Sequence, residues 1–182
     1  MIFHFEWKPL YCIIDNNYTY QELKPSAHLT DFVHSFFWHQ NLTDREQSFI
    51  ICPDSYFKVI VFLESGQIKV HFLTGLWIKE KEVSIPPNSA SFGIRFKLLA
   101  PEYVFDKEIA SILNGREILN PNFWNIQTTK FDSLAQVTEV FEEIITAEIE
   151  RINIVPNSKK IALSRLLDHS SGQITVKQVA DE

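Results

Sequence analysis

The chain has 182 residues, 45% of them hydrophobic and 13% aromatic, which is far more apolar surface than a disordered chain carries and enough length for one packed core and a smaller appendage. Its formal charge is −6 at pH 7 with no basic block, so the residues present lack the positive footprint with which a duplex binder displaces counterions. No cationic-then-apolar leader opens the chain and no apolar run reaches the ~18 residues of a membrane span, while Cys12 and Cys52 show no zinc spacing, so a cytoplasmic protein with reduced thiols and no membrane partner is expected.

From residue 18 to about residue 99 apolar side chains recur with a period near two, which predicts strands over 18–23, 32–40, 48–52 and 57–64. Val59-Ile60-Val61-Phe62-Leu63 is apolar at every position, so both faces of that strand are expected to be covered. Glu64-Ser65-Gly66-Gln67 supplies a hairpin turn, because Gly accepts the positive φ of a tight connection. In the returning strand Ile68, Val70 and Phe72 share one face and Lys69 and His71 the other, which predicts a wet outer face. Further strands are predicted over 77–79, 82–85 and 92–98, with Pro86-Pro87-Asn88 as a break. Roughly six to eight short strands in close succession favour a small β-barrel or sandwich.

Beyond Pro101 the period becomes helical, over 102–113 and 132–152. The second segment carries Leu134, Val137, Phe141, Ile144, Ile145 and Ile152 along one stripe, and Ser133 with Gln136 offers a capping box. Such a stripe must be buried, either on the chain's own strands or against the same helix of a second copy. Leu134, Val137, Phe141, Ile144 and Ile145 are therefore the candidate dimerisation residues of a homodimer. Residues 154–157 read as a linker and 158–169 as a helix, with Ala162, Leu163, Leu166 and Leu167 on its buried side and Gly172 closing it. At Ile174-Thr175-Val176-Lys177-Gln178-Val179-Ala180 a second capping box and a staple from Ile174 to Val179 start a new helix just before Glu182. Isolated turns are unstable, so the chain is expected to be the front part of a longer protein. Its organisation would be a β-domain with its helix over 1–153, then a linker and the start of a helical domain over 154–182.

The stretch from Leu166-Leu167-Asp168-His169 through Gly172-Gln173-Ile174-Thr175-Val176 to Val179-Ala180 resembles the opening of an AraC-family DNA-binding domain. In that family a first helix is followed by a Gly or Asp turn, an Ile-Thr/Ser-Val step, and a short helix with Val-Ala that begins the first of two helix-turn-helix motifs. Residues 18–100 are similar to one class of AraC-type sensor domains. The matching elements are Lys24-Pro25 with Leu29, Phe32-Val33 through Phe37-Trp38, Cys52-Pro53-Asp54 leading into Phe57-Lys58-Val59-Ile60-Val61-Phe62, and Phe92-Gly93-Ile94-Arg95-Phe96. Leu98-Leu99-Ala100 departs from the Pro and Gly usual after the last of these. The resemblance implies a mixed α+β fold, a cupin-like β-barrel followed by helices that pair two subunits, with an unknown small-molecule effector in the barrel. DNA would be contacted only through the region beyond Glu182.

A barrel of this size holds one small ligand among aromatic walls and a few orienting polar groups. Arg95, inside an apolar strand, needs a carboxylate, carbonyl or ligand to offset its desolvation. Asp54, which opens the longest buried strand, is the internal partner, and direct ligand contact is the alternative. Trp38 and Trp77 are either ring-stacking partners or plain core residues. Trp38, Asp54, Trp77 and Arg95 are thus the candidate ligand-binding residues. Metal chemistry in such a barrel needs His-x-His, so that both imidazoles share a face. His34 and His39 lie five positions apart and His71 stands alone on its polar face, so no metal is expected. With no Gly-x-Ser-x-Gly elbow, no evident base beside Cys52 and no phosphate loop among five glycines, neither an enzyme nor a cofactor is expected. The reading is the sensing and dimerisation part of a transcription regulator, with a stand-alone cupin-like sugar-binding module as the alternative.

Overall fold

A computed structural model of the chain describes residues 18–105, 110–120, 122–126, 131, 133–155, 157–170 and 177. Seven strands form within the alternating region: β1 (Tyr18–Leu23), β2 (Val33–Asn41), β3 (Gln47–Ile51), β4 (Phe57–Glu64), β5 (Gln67–Thr74), β6 (Lys81–Ile85) and β7 (Ser89–Phe96). A short β8 (Arg116–Ile118) and helices α1 (Leu134–Ile152) and α2 (Ser158–Ser170) follow, so the fold is mixed α+β. The strands do not close into the predicted barrel. Six form an open antiparallel sheet in the order β1-β2-β7-β4-β5-β8, while β3 and β6 pair only with each other. The split is fixed at Asn41, which is fully buried at the end of β2. Its Nδ2 donates to the carbonyls of Arg45 (2.7 Å), Ile85 (3.0 Å) and Pro86 (3.1 Å), and its Oδ1 accepts from Thr43 N (3.0 Å). One side chain thus ties together the chain where it leaves the main sheet for the ribbon and where it returns.

β7 is buried at all eight positions because it lies between β2 and β4. On one face, Phe92, Ile94 and Phe96 join Phe36 and Trp38 of β2 and Phe57, Val59, Val61 and Leu63 of β4 in a continuous apolar layer. Tyr103, Val104, Phe131 and α1 cover that layer. Ser133 caps α1 by accepting from Gln136 N (3.3 Å), and the helix stops at Asn153, whose φ of 50° is left-handed. Leu134, Val137, Phe141 and Ile145 are at most 4% exposed, and the Phe141 ring lies 5.0 Å from that of Phe92. Burying each such side chain is worth roughly 1.5–3 kcal/mol. The stripe packs on the chain's own sheet, which covers these four of the candidate dimerisation residues within the chain; Ile144 is half-buried.

Other departures have local causes. No strand forms over 77–79, because this stretch turns to meet residues 112–115. Asn114 N donates to Leu76 O (2.9 Å), Asn114 Oδ1 accepts from Ile78 N (2.8 Å), and a Cβ on Gly75 would fall 2.1 Å from the Ile112 carbonyl oxygen. In place of a helix over 102–113 there are a π-helical turn (Pro101–Phe105) and a 3-10 turn (Ala110–Ile112), with 106–109 outside the described residues. His71 is buried rather than wet. A bulge shifts the β4–β5 register between Phe62 and Leu63, so that Ile68 pairs with Leu63 but Val70 with Phe62, and the expected common face of Ile68, Val70 and Phe72 is broken. His71 then shares the covered face with Leu73, its Nε2 3.0 Å from Asn120 O. In α2, Ala162 and Leu163 are exposed and Leu166 and Leu167 half-buried, while Ile161 packs against the core. Gly172, residues 174–176 and 178–180, and Cys12 lie outside the described residues. No helix among the described residues is long and apolar enough to cross a membrane.

Candidate functional site: an ionic cluster around two buried cations

The face of the sheet turned away from α1 is built differently. Strand alternation and register place Tyr20 and Glu22 of β1, Ser35 and Phe37 of β2, Arg95 of β7 and Lys58 of β4 on it. The Phe37 ring fills the space of the missing side chain at Gly93, where a Cβ would fall 1.9 Å from Cζ. The Arg95 guanidinium lies over that same ring, 4.4 Å from its centre. Gly93 therefore makes room for an aromatic platform, and two residues later the strand delivers the cation to it.

Arg95 stands directly across from Lys58, and like charges so placed repel. Two carboxylates offset the repulsion. Arg95 Nη1 is 3.3 Å from Glu22 Oε1 and donates to Tyr20 OH (3.1 Å) and Ser35 Oγ (3.2 Å). The Tyr20 hydroxyl in turn donates to Glu22. Asp54 lies between the cations, with Oδ1 2.7 Å from Lys58 Nζ and Oδ2 4.0 Å from Arg95 Nε. The structure thus brings together the predicted Arg95 and Asp54, but the closer partner of Asp54 is Lys58, and among the described residues the nearest carboxylate to Arg95 is Glu22. Both were missed from sequence. Lys58 carried the same signal as Arg95, a charge inside an apolar strand, whereas Glu22 gains meaning only from the β1–β2 register.

The predicted aromatic residues do not join this cluster. Trp38 is on the opposite, α1-covered face, 6% exposed, beside a cleft of about 140 Å³ shared with Gln40, Leu63, Asn88 and Phe131. Trp77 is half-buried between β5 and β6, with Lys81 Nζ 5.8 Å from its ring.

Burial sets the proton affinities here. It pulls the Lys58 ammonium below its ordinary value, Asp54 opposing and Arg95 reinforcing the shift. For Glu22 burial pushes upward, but hydrogen bonds from Ser35 and Tyr20 and the charge of Arg95 hold the carboxyl below its usual value. His39, wedged among Tyr20, Phe37 and Phe49, is depressed to about 3 by burial and then by Arg95. The folded chain therefore keeps His39 neutral while the unfolded chain protonates it below pH 6.5. Stability is complete above that pH and falls by about 1.4 kcal/mol for each unit from there down to the folded value. Burial also depresses His34, to about 4, so urea titrations from pH 7 to pH 4 should show a slope from both histidines, and His39→Gln should remove its share of it; an unchanged slope in the variant would place the acid sensitivity elsewhere.

Beside the cluster, the His34 ring stacks on Tyr56 at 4.2 Å, and the Tyr56 hydroxyl donates to Asp168 of α2 (3.4 Å). Lys97, two residues beyond Arg95, donates to the other oxygen of Asp168 (2.7 Å). Burial pushes the Asp168 carboxyl up, but the hydrogen bond and charge of Lys97, with His34 and Tyr56, hold it below the usual carboxylate range.

The profile of the family described as a domain of unknown function, DUF6597, matches residues 21–117, more than half of the chain. The chain belongs to this family. The matched DUF6597 region runs from β1 into β8 and contains Glu22, Asp54, Lys58 and Arg95, whereas α1 and α2 lie beyond it. No curated protein and no solved structure matches the chain.

Chemically, the DUF6597 cluster sets two cations against two carboxylates on one sheet face. Among the described residues these charges balance, so an anion that takes either cation displaces Asp54 or Glu22 from its partner. Exchange of ionic partners is the chemistry available, and no group of three His, Cys, Asp or Glu among the described residues is placed to hold a metal.

Proposed function

We propose that this chain is the sensing part of an AraC-type transcription regulator, which takes a small-molecule effector at the Arg95–Lys58 cluster and acts on DNA through a domain beginning in its C-terminal segment. In this reading the regulator works in the cytoplasm as a homodimer, and of the candidate seam residues α1 leaves Ile144, with its polar outer face, for a second copy. The supporting observation is the cluster itself. Two buried cations held by partly exposed carboxylates contribute less to stability than well-packed apolar side chains would, and partnered, desolvated charges concentrate at functional sites. The family match over 21–117 overlaps the 18–100 stretch whose motifs resemble AraC-type sensors.

A thermal-shift screen of organic acids, sugars and aromatic metabolites tests the reading. An effector at 100 times its dissociation constant should stabilise the chain by about 2.7 kcal/mol, and it should change the retention of its promoter DNA by the full-length protein. A stabilising compound with no effect on DNA retention would instead indicate a stand-alone binding module, and silence in both assays would remove the sensing function.

A further inference from the structure

α2 is docked on the sheet domain through ion pairs and a few half-buried apolar side chains. Arg165 forms a two-pronged pair with Asp31 (2.8 and 2.8 Å), Lys160 one with Glu102 (2.8 and 2.7 Å), and Asp168 bridges Lys97 and Tyr56. Before the helix, Asn157 N donates to Tyr103 OH (3.2 Å). No residue of α2 is fully buried, and Ile161 supplies its contact with the core. An element docked in this way belongs to the low-stability end of a fold and can detach without unfolding the rest.

The partners of Asp168 come from the two segments that carry the ionic cluster. Lys97 extends β7 beyond Arg95. Tyr56 sits between Asp54 and Lys58, and its position depends on both: Asp54 Oδ1 accepts from Tyr56 N (3.2 Å), and Lys58 Nζ donates to Tyr56 O (3.2 Å) as well as to Asp54. The turn that presents the Tyr56 hydroxyl to α2 is therefore tied by the same carboxylate that neutralises Lys58.

We infer that α2 is a releasable latch whose Asp168 clasp reports the state of the Asp54–Lys58 pair. While Asp54 holds Lys58 and the Tyr56 turn, α2 is docked. A small anionic effector that takes Lys58 and Arg95 displaces Asp54, loosens the turn and frees α2 together with whatever is joined behind it. The latch names the effector class and output of the proposed sensing site and rests on that reading for its purpose, but its physical content is measurable without effector or DNA.

Hydrogen–deuterium exchange of the chain, followed over residues 158–170 with 134–152 as internal reference, is the test. Asp168→Asn should accelerate exchange in α2 by tenfold or more and leave α1 protected. Asp54→Asn should do the same, although Asp54 touches no residue of α2. If Asp54→Asn alone also exposes β4 and β7, the paired variant Asp54→Asn with Lys58→Met, which leaves no unpaired ammonium at that position, is read in its place. Unchanged α2 protection in Asp168→Asn overturns the clasp, and an α2 that responds to Asp168→Asn but not to the folded Asp54 variant overturns the coupling. Either result leaves the sensing function standing, whereas failure of the effector screen leaves these exchange rates unaffected.

Discussion

Phe141→Asp is expected to abolish the cooperative unfolding transition, whereas Ile144→Asp, one turn along, should leave it in place with a lowered midpoint. Phe141 is fully buried, its ring 5.0 Å from Phe92 and 6.1 Å from Trp124. Removing the ring alone, in Phe141→Ala, should cost about 3–5 kcal/mol, the sum of lost transfer energy and the cavity left behind. Aspartate adds a carboxylate with no cation prepared for it, and the total then approaches the roughly 5–15 kcal/mol that stabilises a typical domain. Near-ultraviolet circular dichroism and urea unfolding check this. Were α1 an intermolecular seam, Phe141→Asp would yield a folded monomer in sedimentation, and that result would overturn the packing described above. At Ile144, half-buried, the new carboxylate reaches water and the cost should stay below about 2 kcal/mol.

That contrast marks where sequence reasoning succeeds and where it stops. The α1 stripe, its Ser133 cap and its end after Ile152 were legible because helix periodicity and capping are local. The β4–β5 hairpin was legible for the same reason, its turn residues Ser65 and Gly66 adopting φ of 52° and 75°. Which surface the stripe meets is not local: only the assembled β2–β7–β4 layer shows that Phe92 awaits Phe141. Register is equally non-local. Arg95 was conspicuous as a charge in an apolar strand, but that Trp38 turns to the opposite face follows from its pairing with Phe92, and that Glu22 reaches Arg95 follows from its pairing with Phe37. The open sheet in place of a barrel depends on Asn41 tying the ribbon's two ends, and the burial of His71 depends on one bulge. Three-residue β8 is too short for any alternation to register.

Arg95→Met should destabilise the domain by about 1–3 kcal/mol, because it leaves the partly exposed Glu22 carboxylate without its cation and strips Phe37 of the guanidinium that lies over it. Asp54 keeps Lys58 and should contribute little to the loss. If so, Arg95→Met combined with Glu22→Gln should recover most of the stability, since the residual cost of the single variant lies in an unpaired charge rather than in lost volume. Arg95→Lys should recover less, because an ammonium offers neither the planar face that lies over Phe37 nor separate nitrogens to meet Tyr20, Ser35 and Glu22 at Nη1 and Asp54 at Nε. Urea denaturation of these three variants and of Glu22→Gln alone, with Arg45→Met on the exposed surface as control, measures the cycle. A double variant no more stable than Arg95→Met would mean that Glu22 does not need the guanidinium. A stable double variant has a further use: it keeps the sheet folded with Arg95 gone, so any effector found by thermal shift can be tested for dependence on that cation separately from its role in the fold. Loss of the shift in a folded double variant would place the ligand on Arg95, and retention would place it elsewhere.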